Sequence, residues 1–359
     1  MDNKNKNISI IQFNENIKIP EFIEVSLKNK EYVGFGIDNV YPSYLLSLYN
    51  QCADHQSIID GCVNYVMGNG IVIENNIKLE NFAEKINSDG ETLADIMRKA
   101  ELDFQIFGGF ALKLITNNFG ELIELYNINL DEVRLNEELT NSYISNLWGK
   151  WGAKAIEIPL FKSDKKQKQS IYYYKGKKSR GIYPIALYNA AIKAIQTSIK
   201  ISDFHLTNIM TGFNANVIIN FNNGEPTEEM KEVIEESLKE KFSGTDGDKM
   251  MAVFNNGSEN AVTVSRLDDD NSDEKFQTLA KSTQNTIFTS HKVTSPQLFG
   301  VKAENQGFTK TEFLESFEIY NNTVIAPLQK DLISEFTKLL SNFFVNPEIK
   351  IIPFKITTE

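Results

Sequence analysis

The chain has 359 residues, 41% of them hydrophobic and 24% charged, enough apolar material for two or three domains and no signature of global disorder. Its formal net charge is −11 and its pI about 5.0. That acidity argues against tight gripping of nucleic acid, which favours a basic surface, but not against a duct through which DNA slides without sticking. Only Cys52 and Cys62 are present, so no disulfide framework or metal knuckle follows, and a reducing compartment is expected. The opening MDNKNKNISIIQF lacks a signal-like apolar region, and no apolar run reaches the roughly 18 residues of a membrane span. The sequence therefore predicts a soluble, intracellular chain with no membrane partner.

Residues 1–30 read as an Asn/Lys-rich arm with apolar patches at Ile8, Ile10, Ile11 and Phe13. A turn-rich stretch from Gly34 leads to Pro42 at a helix start. From Ser43 to Met67, Leu45, Leu48, Ile58, Ile59, Cys62, Val63 and Val66 recur at helical spacing, and Gly68-Asn69-Gly70 stops the helix. A short IVIE strand and a helix over Leu93–Phe107 follow. Gly108-Gly109 lies before a strand, where a nucleotide-binding turn would follow one, so the pair reads as a site of close backbone packing. The next strand turns at Asn117, Asn118 and Gly120 into a returning strand, Glu121 to Tyr126, and Asp131–Leu135 is expected to continue this β region.

Residues 162–180 gather Lys162, Lys165, Lys166, Lys168, Lys175, Lys177, Lys178 and Arg180 around Tyr172, Tyr173 and Tyr174. A solvated hairpin with Lys-protected edges is the favoured reading; aromatics stacking on bases is the alternative. From Pro184 the pattern changes. Tyr188, Ile192, Ile195, Ile199, Ser202, Leu206 and Ile209 are spaced 4-3-4-3-4-3, a narrow heptad-like seam on a helix predicted over Ile185–Met210, roughly 39 Å long. The insert after it reads strand (Asn216–Phe221), helix (Glu228–Phe242, Thr227 as N-cap), strand (Met250–Phe254), strand (Ala261–Val264). A polar helix spans roughly Ser272 to Lys292. A loop through Lys302–Lys310 leads to a last helix, Thr311–Phe344, with a kink or break at Pro327, and the tail reads as a strand.

Chemistry is scarce. There is no phosphate loop, no GxSxG elbow, no HExxH and no CxxC. His55, His205 and His291 lie in different segments and read as packing or surface residues. Asp268-Asp269-Asp270, with Asp273 and Glu274, would suit a hard divalent ion, but first-turn charges on the helix that follows are the favoured reading. No catalytic residue, metal or cofactor is assigned.

In this layout the chain resembles the portal proteins of tailed bacteriophages. The likeness rests on Tyr41-Pro42 with the helix behind it, and on Asn118–Leu122 with Asp131–Arg134. It also rests on Gly181–Ile185 ahead of the long helix, on Thr211–Ile218 after it, and most specifically on Thr294-Ser295-Pro296-Gln297-Leu298-Phe299-Gly300-Val301. The resemblance implies an α+β portal-like fold: an α/β wing (1–183), a long-helix stem (184–212 and 271–293) and a β-α-β-β clip (213–270). A tunnel-loop region (294–310), a wing/tunnel helix with a short tail (311–359) and a reduced or absent crown complete it.

What it implies about function is a non-enzymatic ring, commonly of twelve subunits, at a capsid vertex of the virion. Double-stranded DNA would enter and leave through it. Terminase large subunit, head–tail connector, major capsid and scaffold proteins would be its partners. Lys302, Asn305, Gln306 and Lys310 become the candidates to face DNA. Tyr188, Ile192, Ile195, Ile199, Leu206 and Ile209 become the seam between subunits. Glu228, Glu229, Glu232 and Glu236 become the terminase-facing clip surface. Two other readings remain, a magnesium-dependent DNA-processing enzyme built on Asp268–Asp270, or another phage adaptor.

Overall fold

Pro42 opens a helix where the sequence places one, but the predicted run to Met67 is two helices. In the computed structural model α1 is Tyr41–Gln51 and α2 is Ala53–Met67, with Cys52 extended between them at φ −105° and ψ 107°. The break is invisible to periodicity, because the buried stripe of Leu45 and Leu48 resumes in phase at His55, Ile58, Ile59 and Cys62. The structure describes residues 20, 22–26, 30–152, 154–165, 167–211, 216–221, 227, 230, 233, 250–254, 263–267, 272–301 and 310–354. The chain divides into two units, Pro20–Gln196 with Thr283–Glu359, and Met1–Ile19 with Thr197–Ser282.

In the first unit, β1 (Glu24–Ser26) and β2 (Val33–Phe35) pair antiparallel ahead of α1. Gly68 ends α2 at φ +53°, and a Cβ there would lie 2.1 Å from the Ile352 carbonyl oxygen, so only glycine fits. β3 (Ile71–Glu74) then pairs with the distant C-terminal strand β13 (Glu348–Ile351). The eight-residue α3 (Ile77–Glu84), capped by Asn76 Oδ1 accepting from Leu79 N at 2.9 Å, is an addition to the sequence reading.

α4 runs Leu93–Phe107 as predicted, opened by a Thr92/Asp95 capping box. It is buried on nearly every side, including Glu101, Asp103 and Gln105. Gly108 closes it at φ +86°, and a Cβ there would come within 2.2 Å of Ile185 O, the close approach expected at that Gly-Gly pair.

The hairpin β4 (Phe110–Thr116) and β5 (Leu122–Ile128) forms as predicted, with Leu114 opposite Leu125. Residues 131–135 do not continue it. A 3₁₀ turn at Leu130–Glu132 redirects the chain, and β6 (Val133–Leu135) starts a separate sheet with β7 (Asn141–Ile144) and β8 (Ile156–Pro159).

The basic stretch is not a hairpin either. It contributes the single strand β9 (Gln169–Tyr174), which adds to β4 to give the order β5-β4-β9.

The last helical run is interrupted in the expected region. α7 (Lys310–Tyr320) and α8 (Ala326–Leu340) are joined by a π-turn over Asn321–Ile325. Pro327 has no N–H for the carbonyl one turn back and its ring crowds that carbonyl; the wider π-turn relieves both problems. α8 buries Leu332, Phe336, Leu339 and Leu340 against α2, α4 and β4 in the unit's main core, with Phe336 stacked 5.8 Å from Phe110. At roughly 1.5–3 kcal/mol for each fully buried large side chain, this cluster is the main stabiliser of the unit.

The chain passes between units inside two long helices, α5 (Ile192–Thr211) and α6 (Ser272–Ser290). α5 starts later than the predicted Ile185, because residues 185–188 are non-helical and Asn189–Ala191 is a 3₁₀ turn. In the second unit β10 (Asn216–Phe221) is flanked by β11 (Met250–Phe254), parallel, and β12 (Thr263–Leu267), antiparallel. A parallel neighbour requires a crossover, and positions 230 and 233 are helical; the rest of the predicted 228–242 helix lies outside the described residues. The final strand of the insert is described over Thr263–Leu267, past the Val264 expected as its end, and the expected start at Ala261 lies outside the described residues. Among the described residues no helix is long and apolar enough to cross a membrane.

Candidate functional site

The seam on α5 is divided along its length. Tyr188, Ile192, Ile195 and Ile199 are 0–8% exposed within the chain itself, whereas Leu206 is 59% and Ile209 66% exposed. Tyr188 precedes the helix and donates its hydroxyl to Ile106 O at 2.8 Å. These first four residues are covered by their own chain and are not available to a neighbour, which corrects the seam expected from spacing alone. α6 has the same character. Ile287 and Phe288 are buried in the first unit, while Leu279 in the second is 44% exposed. Within the second unit Phe204 stacks on Phe276 at 4.6 Å, and His205 meets Phe276 edge-on.

Lys302, Asn305 and Gln306 of the predicted tunnel loop lie outside the described residues, and Lys310 is the exposed first residue of α7. Glu228, Glu229, Glu232 and Glu236 also lie outside them. So do Asp268, Asp269 and Asp270, which leaves the metal reading without a geometric observation. Among the described residues no group of three or more His, Cys, Asp and Glu is placed to hold a metal ion.

The tyrosines of the basic stretch are inside the fold. Tyr172 donates to Glu335 Oε2 at 2.6 Å, Tyr173 is desolvated enough to push its hydroxyl well above the usual range, and Tyr174 packs on Phe104 and Phe110. These contacts engage the half-buried rings within the chain and give the base-stacking alternative no support. The cations beside them also serve the chain: Lys175 donates to Gly181 O and Lys177 pairs with Asp331.

Ahead of α5, the segment Gly181–Ile185 is anchored by Tyr183. Its hydroxyl donates to Val33 O at 2.5 Å and accepts from Leu135 N at 3.0 Å, and its ring stacks 4.2 Å from Phe35. Beside it Arg134, 0% exposed, donates to Asn39 Oδ1, Asn39 O, Asp131 O and Val133 O, and lies over the rings of Phe35 and Trp148. Burial lowers its pKa to about 10, still charged at neutral pH. No sequence signal marks this residue beyond its place in the resemblance.

Two of the three histidines, assigned separately to packing or surface roles, meet. His55 Nδ1 lies 2.9 Å from His291 Nε2, beside Tyr188. Burial holds His291 down at about 4. Burial and the neighbouring ring hold His55 at about 2. Sequence spacing carries no trace of a pair 236 positions apart.

No family model and no curated protein matches the sequence. Solved structures do. A chain of the virion of the native gene transfer agent (GTA) particle matches with TM-score 0.58 at 12% identity, over 86% of this chain and 83% of that one. The neck of the native GTA particle, computed with C12 symmetry, gives 0.57 at 13% identity over 86% and 84%. The crystal structure of an HK97 family phage portal protein from Corynebacterium diphtheriae gives 0.51 at 11% identity, over 85% and 94%. The chain has the α+β fold that these structures share.

Proposed function

We propose that this chain is a portal subunit: copies close into a ring at a capsid vertex, and DNA passes through the axial channel during packaging and ejection. The observation that carries this reading is the fold likeness, which runs over most of both chains in each of the three structures named above, including a neck of C12 symmetry. It supports a ring of twelve. Head-to-tail packing closes when the rotation between neighbours permits.

In this reading residues 1–183 with the C-terminal helix form the wing, 184–212 and 271–293 the stem, and 213–270 the clip that meets terminase and later the connector. The loop through Lys302, Asn305, Gln306 and Lys310 faces the duplex. A net charge of −11 per subunit supports a channel that repels phosphate and offers little friction. The exposed stripe of Leu206 and Ile209 on α5 supports a helix whose lower turns are completed by a neighbouring copy.

Substitution separates the two halves of the seam. Ile195→Asp buries a carboxylate in the chain's own core and is expected to abolish soluble folded protein. Leu206→Asp with Ile209→Asp is expected to leave circular dichroism and the thermal transition unchanged while removing rings from a mass-photometry profile. Rings persisting at wild-type abundance in the double variant would remove this stripe from the interface.

A further inference from the structure

The histidine pair is not among the residues assigned above to the ring interface or the channel. His55 sits on α2 and is 0% exposed; His291 follows directly after α6 and is partly buried. Their facing nitrogens are 2.9 Å apart, and the Tyr188 ring lies 4.2 Å from His55, edge-on, and 5.4 Å from His291, stacked. Tyr188 is in turn held to the end of α4 through Ile106 O. One contact therefore joins α2, the segment entering α5 and the segment leaving α6, all within the first unit.

His55 Nε2 is buried with no hydrogen-bond partner. This selects the tautomer. With the proton on His55 Nδ1, donated to His291 Nε2, the partnerless atom is a bare acceptor; the reverse tautomer buries an unpaired N–H. A proton arriving on either ring breaks this arrangement. On His291 Nε2 it removes the acceptor, and on His55 Nε2 it creates a buried donor carrying charge.

Among the described residues no hydrogen bond or ion pair joins a carboxylate to either ring. On α2, Asp54 accepts from Gln284 of α6 and Asp60 accepts from Tyr49. On α1, Tyr41 and Tyr44 are neutral, raised by burial, and Tyr41 donates to Asn189. The cations on the adjoining segments, Lys193 on α5 and Lys292 after His291, are exposed. No carboxylate contributes to the shift of either imidazole.

We propose that the His55–His291 pair is a proton-sensitive latch that closes the ends of α5 and α6 onto α2, and that opening it takes up two protons. Acid loosens these helix ends before it unfolds the core around α4 and β4. The inference stands on this geometry alone and survives or fails independently of the ring.

Proton uptake sets a number. Where the rings are neutral when closed and protonated when open, the opening constant rises about tenfold per pH unit for each ring. Hydrogen exchange of the full chain, corrected for intrinsic rates, reads this in residues 185–196 and 283–293. As pH falls from about 6 to about 4.5 the expected rise approaches a hundredfold per unit in the wild type and tenfold in His291→Gln, with none in His55→Gln with His291→Gln. A wild type without pH dependence, or a double variant that keeps it, would overturn the latch.

Nitrogen-15 NMR of histidine-labelled wild type needs no variant. At pH 5.5 the expected result is that the His55 and His291 rings are both still neutral; protonation of either ring at that pH would refute the proposal.

Discussion

Arg134→Ala is expected to lower the stability of the first unit by roughly 3–5 kcal/mol, the cost of breaking a buried charged network at one partner. The guanidinium spreads its charge over the Asn39 side chain and three backbone carbonyls, with no carboxylate among its hydrogen-bond acceptors. Removing it takes the donor from Asn39 O and Val133 O in the interior, where each buried, unpaired acceptor costs on the order of 1–3 kcal/mol, while Asn39 Oδ1 keeps the bond it accepts from Phe35 N. It also empties the space between Phe35 and Trp148. Arg134→Lys keeps the charge but not the planar fork, so it falls between Ala and wild type. Urea titration followed by tryptophan fluorescence measures this directly, because both tryptophans, Trp148 and Trp151, lie in this unit. An Ala variant with the wild-type midpoint and slope would show that the network contributes nothing.

The second large effect is a stability profile that peaks on the acid side of neutrality. Burial raises the carboxyls of Glu101 and Asp103 to about 8, although Gln105 and Asn127 donate to them. Their contribution is complete below the ordinary carboxylate range and is lost as pH climbs through about 8. The two lowered histidines run the other way: their contribution is complete above about 6.5 and is lost as pH falls toward 4 and then 2.

Between about 4.5 and 6.5 the folded state holds two extra carboxyl protons and the unfolded state two extra imidazolium protons, so the slopes cancel. Above 6.5 only the carboxyls remain unbalanced, and stability falls by up to roughly 3 kcal/mol per pH unit until they ionise. Urea midpoints from pH 4 to 9 should show this plateau and alkaline fall. Glu101→Gln with Asp103→Asn should flatten the alkaline limb; an unchanged limb would mean that the carboxyls are already ionised at neutral pH.

What the sequence displayed was whatever is written locally. The α4 helix carries its own cap and stripe, the β4–β5 hairpin its own turn over Asn117–Gly120, and β10 and β11 their apolar runs, so each stood out without tertiary information. Elements set by partners distant in sequence did not. The extended Cys52 leaves the helical phase undisturbed, and α3 has too few turns to show a period. The seam was misjudged for the same reason. Spacing shows that Ile195 and Ile209 share a face, but only the fold shows that the first is covered by this chain and the second is open. Arg134 and the histidine pair are defined by contacts 95 and 236 residues apart, beyond any local pattern.

That open face gives the account its most direct test. Negative-stain electron microscopy of the purified full chain, near neutral pH and over a range of concentrations, should yield closed rings with a central channel, twelve-fold in class averages. Monomers alone under every condition would contradict the portal reading.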